Sequence, residues 1–316
     1  MSHELTDGAV PDAGPLPDLG MNTCVVGTTE PVPCGHCGQA LRTCVSDGRW
    51  SAPGACTGET AMCGLDVMLL ADVTGSHTGV FRAAADSLAN YLVLPLEGDA
   101  DVRVGVSAFA DYPVGGYGTV PPEADVPFIG VLEPTHDVGS VDSAIRGIMF
   151  YGGVDAPESE IEGLNDLSGG MPSPYAVPFV CHSGGVGGGC WRGGAAWRVI
   201  VVMTDTASHS LPGPSGALVQ PYGSDLVPPA PRWDDVRRQI ASSGTYVYWI
   251  VPNTTGDAST DNVSASAQAG ELARQLGEDP SDAVSIYDGS LSDTQTAIRA
   301  VRERLVAHFG IHGAAR

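Results

Sequence analysis

The chain has no lysine: all 15 of its basic residues are arginine, against 37 acids, for a formal charge of -22 over 316 residues. So large an acidic excess repels phosphate backbones and anionic lipid, which argues against nucleic acid and membrane surfaces as partners. No apolar run is long enough to span a bilayer, so no transmembrane segment is expected. A signal-peptide pattern is also missing, because Met1 to Gly20 is polar and proline-rich. The GxSxG elbow, the P-loop and the dinucleotide fingerprint do not occur. Charged residues make up only 16% of the chain and apolar ones 43%, enough to bury a sizeable core. A solvated acidic surface, as in a salty habitat or a GC-rich genome, accounts for most of the acids. Cation binding by the rest requires particular residues at particular spacings.

Eight cysteines are present, and six of them (Cys24, Cys34, Cys37, Cys44, Cys56 and Cys63) fall in one short stretch. An even, clustered count in a unit too short for a hydrophobic core suggests disulfides and an oxidising compartment. Three disulfides are expected there, with the pairing left open, and Cys181 is expected to pair with Cys190. The rival reading is a zinc site around Cys34 and Cys37, completed by His36, Cys44 or Cys56. No second CxxC or HxxxH supports it.

Residues 1–23, rich in Pro, Gly and Asp, read as a flexible tether. Residues 24–63 form the cysteine-rich module, 64–310 one large domain, and 311–316 a tail. Within the large domain, strands and helices alternate. Leu65–Asp72, Asp101–Asp111, Trp197–Asp205 and "TYVYWIVP" read as buried strands. Shorter strands are expected near Val126–Glu133 and in "AVSIYD". Val80, Ala84, Leu88, Tyr91 and Leu92 recur at helical spacing. Further helices are expected over Val138–Phe150, in "WDDVRRQIASSG" up to Gly244, near Val263–Leu276 and over Thr294–Phe309. This alternation predicts an α/β fold: a doubly wound, mostly parallel sheet with helices on both faces. Tyr112–Pro127 and Gly169–Gly194, both full of Gly and Pro, interrupt the pattern.

Ligands of such sheets sit beyond the carboxyl ends of the strands. There the chain offers Asp72-Val73-Thr74-Gly75-Ser76, then Asp111, Thr204-Asp205 and Asp155-Ala156-Pro157-Glu158. Close acids raise one another's pKa unless a positive charge lies between them. With no lysine to serve, a divalent cation is the natural counter-charge, and an all-oxygen set suits Mg²⁺, Mn²⁺ or Ca²⁺. Taken alone, Asp-x-Thr-x-Ser also fits a helix cap. His77, His182 and His209 read as solvated or hydrogen-bonded side chains.

Asp72-x-Thr74-x-Ser76 at the end of a buried strand resembles the metal-ion-dependent adhesion site of von Willebrand factor A domains. "VRVGVSAFADYPV" (Val102–Val114), "GVDAPE" (Gly153–Glu158) and "VIVVMTDTASH" (Val199–His209) resemble the integrin β-subunit I-like branch. The resemblance covers roughly Leu65 to Phe309, and the cysteine unit loosely resembles modules that precede globular domains in secreted bacterial proteins. It implies that Thr74, Ser76 and Glu158 ligate Mg²⁺ or Mn²⁺ directly. Asp72 and Asp205 would act through metal-bound water, and one position would stay open for a carboxylate of a protein partner. It also implies a second site, for Ca²⁺, at Asp111 and Asp155 sharing Glu158, although Gly153 stands where that branch has an Asn. A third site is expected to be absent, since Gly79 and Val80 replace its acids. The implied function is an adhesion module at the cell surface or outside the cell, lipoprotein-like, and not an enzyme. A metal-dependent hydrolase on the same acidic edge and a domain with a purely stabilising metal are the alternatives.

Overall fold

The structure is a computed structural model that describes residues 24, 26–34, 38–58, 64–75, 87–88, 90, 101–120, 124–152, 154–182, 184–193, 196–256, 260–288 and 291–309. These fall into two compact units, a small one within 24–57 and a large one that takes in 58–309.

In the small unit, β1 (Thr29–Cys34) pairs with β2 (Gly38–Thr43). Neither strand stands out in the sequence, because Pro31 and Pro33 break the β pattern of the first. Cys24 is bridged to Cys44, and Cys56 is also disulfide-bonded. That removes Cys44 and Cys56 from the alternative zinc site.

The large unit is built on a six-stranded sheet in the order β5-β4-β3-β6-β7-β8. Its strands are β3 (Gly64–Asp72), β4 (Asp101–Phe109), β5 (Ile129–Thr135), β6 (Trp197–Met203), β7 (Thr245–Pro252) and β8 (Val284–Tyr287). All neighbours run parallel except β4 and β5. No described helix lies between β4 and β5, and a strand that returns through a loop must run antiparallel. The expected strand near Val126–Glu133 is therefore the antiparallel edge, shifted by a few residues.

Six helices follow among the described residues: α1 (Val138–Gly147), α2 (Glu160–Ser168), α3 (Trp233–Ser243), α4 (Ala265–Leu276), α5 (Pro280–Ala283) and α6 (Leu291–Phe309). As expected, Gly244 ends α3 in a left-handed conformation. The helix expected from Val80 to Leu92 lies outside the described residues, apart from Ser87, Leu88 and Asn90.

Alternate residues of β3 face opposite layers, as strand geometry requires. Leu65, Val67, Leu69 and Ala71 pack with Val141, Ile145, Ile298, Val301 and Leu305. Met68 and Leu70 pack with Ile161, Leu164, Val236, Ile240 and Leu272. Both faces are thus covered, and the central strands are apolar almost throughout. Asp66 is the exception in β3. It is fully buried and is held by the Arg192 guanidinium at 2.6 Å, which also reaches Asp101 at 2.5 Å.

Helix α2 is buried along its whole length. A Cβ on Gly163 would come within 2.8 Å of the Leu70 side chain, so glycine lets the helix lie directly on β3. The acids on α2 are buried too; Glu160 and Glu162 find two donors each, whereas Asp166 Oδ2 has none. Glu160 accepts from Trp249 Nε1 at 2.8 Å and Ser208 Oγ at 3.2 Å, and Glu162 from the Tyr112 hydroxyl at 2.5 Å and Ser173 N at 2.7 Å. The Gly169–Gly194 stretch is closed by the expected Cys181–Cys190 disulfide. It is anchored by buried Trp191, whose Nε1 donates to Leu167 O at 2.8 Å.

Candidate metal centre

The chain runs from β3 to β4 and β5 on one side, then returns to place β6 on the other side of β3. The carboxyl ends of β3 and β6 therefore border the switch point of the sheet, where ligands of open α/β folds bind. Asp72 is the last residue of β3 and is fully buried. Its Oδ1 accepts from Thr74 N at 3.0 Å and Thr74 Oγ1 at 2.7 Å, and its Oδ2 from Thr204 Oγ1 at 2.8 Å. Asp72 thus fixes Thr74 and spans both strand ends. The bond to Asp72 orients the Thr74 hydroxyl.

A segment from Tyr151 to Ser159 crosses this edge as a strap. Tyr151 N donates to Val73 O at 2.8 Å, Ser159 N to Ala110 O at 3.0 Å, and His209 N to Glu158 O at 2.9 Å. The Ser159 hydroxyl adds bonds to Ala110 O and Pro127 O. These ties deliver Glu158 between the ends of β3, β4 and β6. It is 2% exposed, and its Oε2 has no hydrogen-bond partner. Burial, then the charges of Asp72, Asp111 and Asp155, push its pKa well above the ordinary 4.5, with a bond to Thr74 pulling the other way. Burial also pushes Asp111 up to about 7 against the pull of His209, and Glu160 up to about 7 against its two donors. Thr74, Asp155, Glu158 and Asp205 line one cleft of about 620 Å³. Asp205 is half-buried there, and Ser76 lies outside the described residues, as do Gly153, Gly79 and Val80.

Asp111 and Asp155 come together as expected, but with a third residue. Asp111 is fully buried, and its Oδ2 lacks a hydrogen-bond partner. His209, only 2% exposed, places Nε2 3.1 Å from Asp155 Oδ2 and 3.6 Å from Asp111 Oδ2. Asp111, Asp155 and His209 make a group able to hold a metal ion, their ligand atoms all within 4.8 Å of one another. Burial lowers the His209 pKa, but the bond to Asp155 and the charge of Asp111 outweigh it, and the net shift is upward. His182, by contrast, is exposed and bonded to Glu133, while His77 lies outside the described residues. Sequence reasoning put Thr204 on this edge without assigning it a role, and missed His209 and Glu160. The one available signal was the position of His209 four residues past Asp205, on the same post-strand loop.

A buried carboxylate oxygen without a donor is unusual in a native structure, and a bound ion is one explanation of it. Glu158 Oε2, Asp111 Oδ2 and Asp155 Oδ1 meet that description at this edge, as does Asp166 Oδ2 on α2, and the oxygen-rich set around Thr74 suits a divalent cation. The residues present therefore fit a metal.

The sequence matches no family model and no curated protein. Among solved structures, the fold is similar to the pilus adhesin SpaC from Lactobacillus rhamnosus GG in its open conformation. The TM-score is 0.51 at 11% identity, over 89% of this chain and 34% of that one. A second crystal form of SpaC gives 0.51 at 12%. Proximal thread matrix protein 1 from the mussel byssus also matches, with a TM-score of 0.43 at 11% identity, over 78% of this chain and 49% of that one, in a structure with a zinc-occupied MIDAS motif. The chain spans about a third of the length of the adhesin it matches. The mostly parallel sheet with helices on both faces is an α/β fold shared with that adhesin. Among the described residues, no helix is long and apolar enough to cross a membrane.

Proposed function

We propose that the large domain is a binding module that captures an acidic group of a partner protein through a divalent cation, and that it does not catalyse a reaction. The observation that carries this is Glu158: a carboxylate delivered by the strap, nearly fully buried, with an unpartnered oxygen beside Asp72 and Thr74. Thr74, Ser76 and Glu158 would hold Mg²⁺ or Mn²⁺ directly, with Asp72 and Asp205 behind them. Asp72 accepts a hydrogen bond from the Thr74 hydroxyl and so orients it. Asp111 and Asp155 form a second site next to Glu158. The bound cation supplies an electrophilic position for an incoming carboxylate. The cleft of about 620 Å³ beside Thr74 and Glu158 has room for an acidic side chain and its neighbours. The integrin β I-like branch is the variant this arrangement fits best, because Glu158 follows Asp155-Ala156-Pro157.

The two disulfides described accord with an exported protein. In this reading the tether and cysteine-rich module carry the domain at the surface of a bacterial cell or outside it. The test is binding of immobilised peptides that differ only in Asp or Glu against Asn or Gln, in Mn²⁺ and in EDTA. Acid-specific binding lost in EDTA and in Thr74→Ala supports the module. Turnover of a phosphoesterase or peptidase substrate, abolished by the same changes, would make the domain a hydrolase. A rise in melting temperature with Mn²⁺ and no binding to any peptide would leave the metal a stabilising role alone.

A further inference from the structure

We propose that His209, Asp111 and Asp155 form a site for a borderline transition cation of the zinc(II) class, which the imidazole makes selective against calcium. This deepens the second-site reading, and rests on it for Asp111 and Asp155, but it gives that site a different ligand set and a different metal.

The first support is the spacing. His209 Nε2 lies 3.1 Å from Asp155 Oδ2 and 3.6 Å from Asp111 Oδ2. Ligands of a tetrahedral zinc with bonds of about 2.0–2.1 Å lie about 3.3 Å apart, between those two values. The second is how the outward atoms are held. His209 Nδ1 faces the carbonyl oxygen of Gln220 in a short hydrogen bond. Asp111 Oδ1 accepts from the Tyr222 hydroxyl at 2.5 Å and Tyr112 N at 2.6 Å. Metal-binding histidines and carboxylates are oriented by outer partners of this kind. What remains free points inward, and Asp111 Oδ2 has no hydrogen-bond partner although its residue is fully buried.

The third is the tautomer. A carbonyl at Nδ1 calls for the proton there, and this tautomer offers the Nε2 lone pair to a metal. The ring is set in position by Tyr222, centroid 4.5 Å away, and edge-on by Tyr117 at 5.3 Å. Calcium takes oxygen ligands, whereas an imidazole suits zinc and its transition-metal neighbours.

The full chain is titrated calorimetrically with Zn²⁺, Ca²⁺ and Mn²⁺, as the parent and as His209→Gln and Thr74→Ala. The expected result is a zinc step that stays within about 3-fold in Thr74→Ala and weakens at least about 100-fold in His209→Gln, since loss of a ligand should exceed the 10- to 100-fold typical of an outer partner. Cobalt(II) in place of zinc should give visible absorption bands that His209→Gln removes. If His209→Gln does not fold, Asp155→Ala, at a half-buried position, is read by the same criterion. Parent-like zinc affinity in the folded variant overturns the proposal, as does a parent that binds calcium more tightly than zinc here. The main-site reading fails separately, if Thr74→Ala leaves Mn²⁺ binding intact.

Discussion

Replacing Glu158 by Gln should move two measurements in opposite directions. The carboxyl is 2% exposed, and burial with three neighbouring acids holds its pKa well above 4.5. In the unfolded chain it is ionised at pH 7, whereas the metal-free folded state keeps it protonated or bears the repulsion. For an acid raised on folding, stability falls by about 1.4 kcal/mol per pH unit above the unfolded value, until pH reaches the folded one. Gln, a neutral isostere of the protonated acid, does not incur that loss. Metal-free Glu158→Gln should therefore melt higher than the parent at pH 7. Its Mn²⁺ affinity should fall at least ~10-fold, about 1.4 kcal/mol, because one charged ligand has gone from a sparse set. Scanning calorimetry in EDTA and calorimetric titration with Mn²⁺ give both numbers. A helix-start acid with no role in the site would contribute well under ~1 kcal/mol and leave both unchanged. Parent-like melting together with parent-like Mn²⁺ affinity would refute the reasoning.

The metal-free parent should become less stable from pH 5 to pH 8. Asp111 is raised from 3.8 to about 7 and Glu160 from 4.5 to about 7, so the folded state holds protons that the unfolded state has released. His209, also raised, loses its contribution as pH climbs through its folded value, in the same direction, and melts in EDTA across that range should show the decline. Asp72→Ala should abolish Mn²⁺ binding at the main site and leave a folded domain, but not without cost. The acid is fully buried and accepts three hydrogen bonds, so a loss of about 2–4 kcal/mol is expected in a denaturant titration. Replacing both Cys181 and Cys190 by Ser should cost about 2–3 kcal/mol, from loop entropy at a separation of 9 residues, with Mn²⁺ affinity unchanged.

Much of the sheet was legible because its central strands are buried on both faces. Such strands read as continuous apolar runs, and Thr245–Pro252 falls where its run predicts. The β1–β2 pair was hidden by prolines and by a unit held by disulfides instead of apolar contacts. The direction of β5 was not legible either, since it depends on the lack of a crossover helix between β4 and β5. Carboxylates were placed on one edge because strand ends can be read. Their partners were not, because Thr204, His209 and Tyr222 reach the acids across long sequence separations, 111 residues in the case of Tyr222 and Asp111. Nothing in the sequence marks Asp72, at the end of its strand, as a buried residue. In the fold, the strand end is roofed by the strap from Tyr151 to Ser159, and the acid is fully buried. Burial of that kind follows from tertiary closure and leaves no local pattern.

The central claim is that the edge around Thr74 and Glu158 is a divalent-cation site. An anomalous difference map from crystals soaked in Mn²⁺ near pH 8, where the acids are most readily ionised, tests it most directly. The expected result is a peak bonded to Thr74 Oγ1 and the Glu158 carboxylate, at about 2.0–2.4 Å as for a hard cation with oxygen ligands. A map with no peak there at millimolar Mn²⁺, or with the ion bound away from both residues, would contradict it.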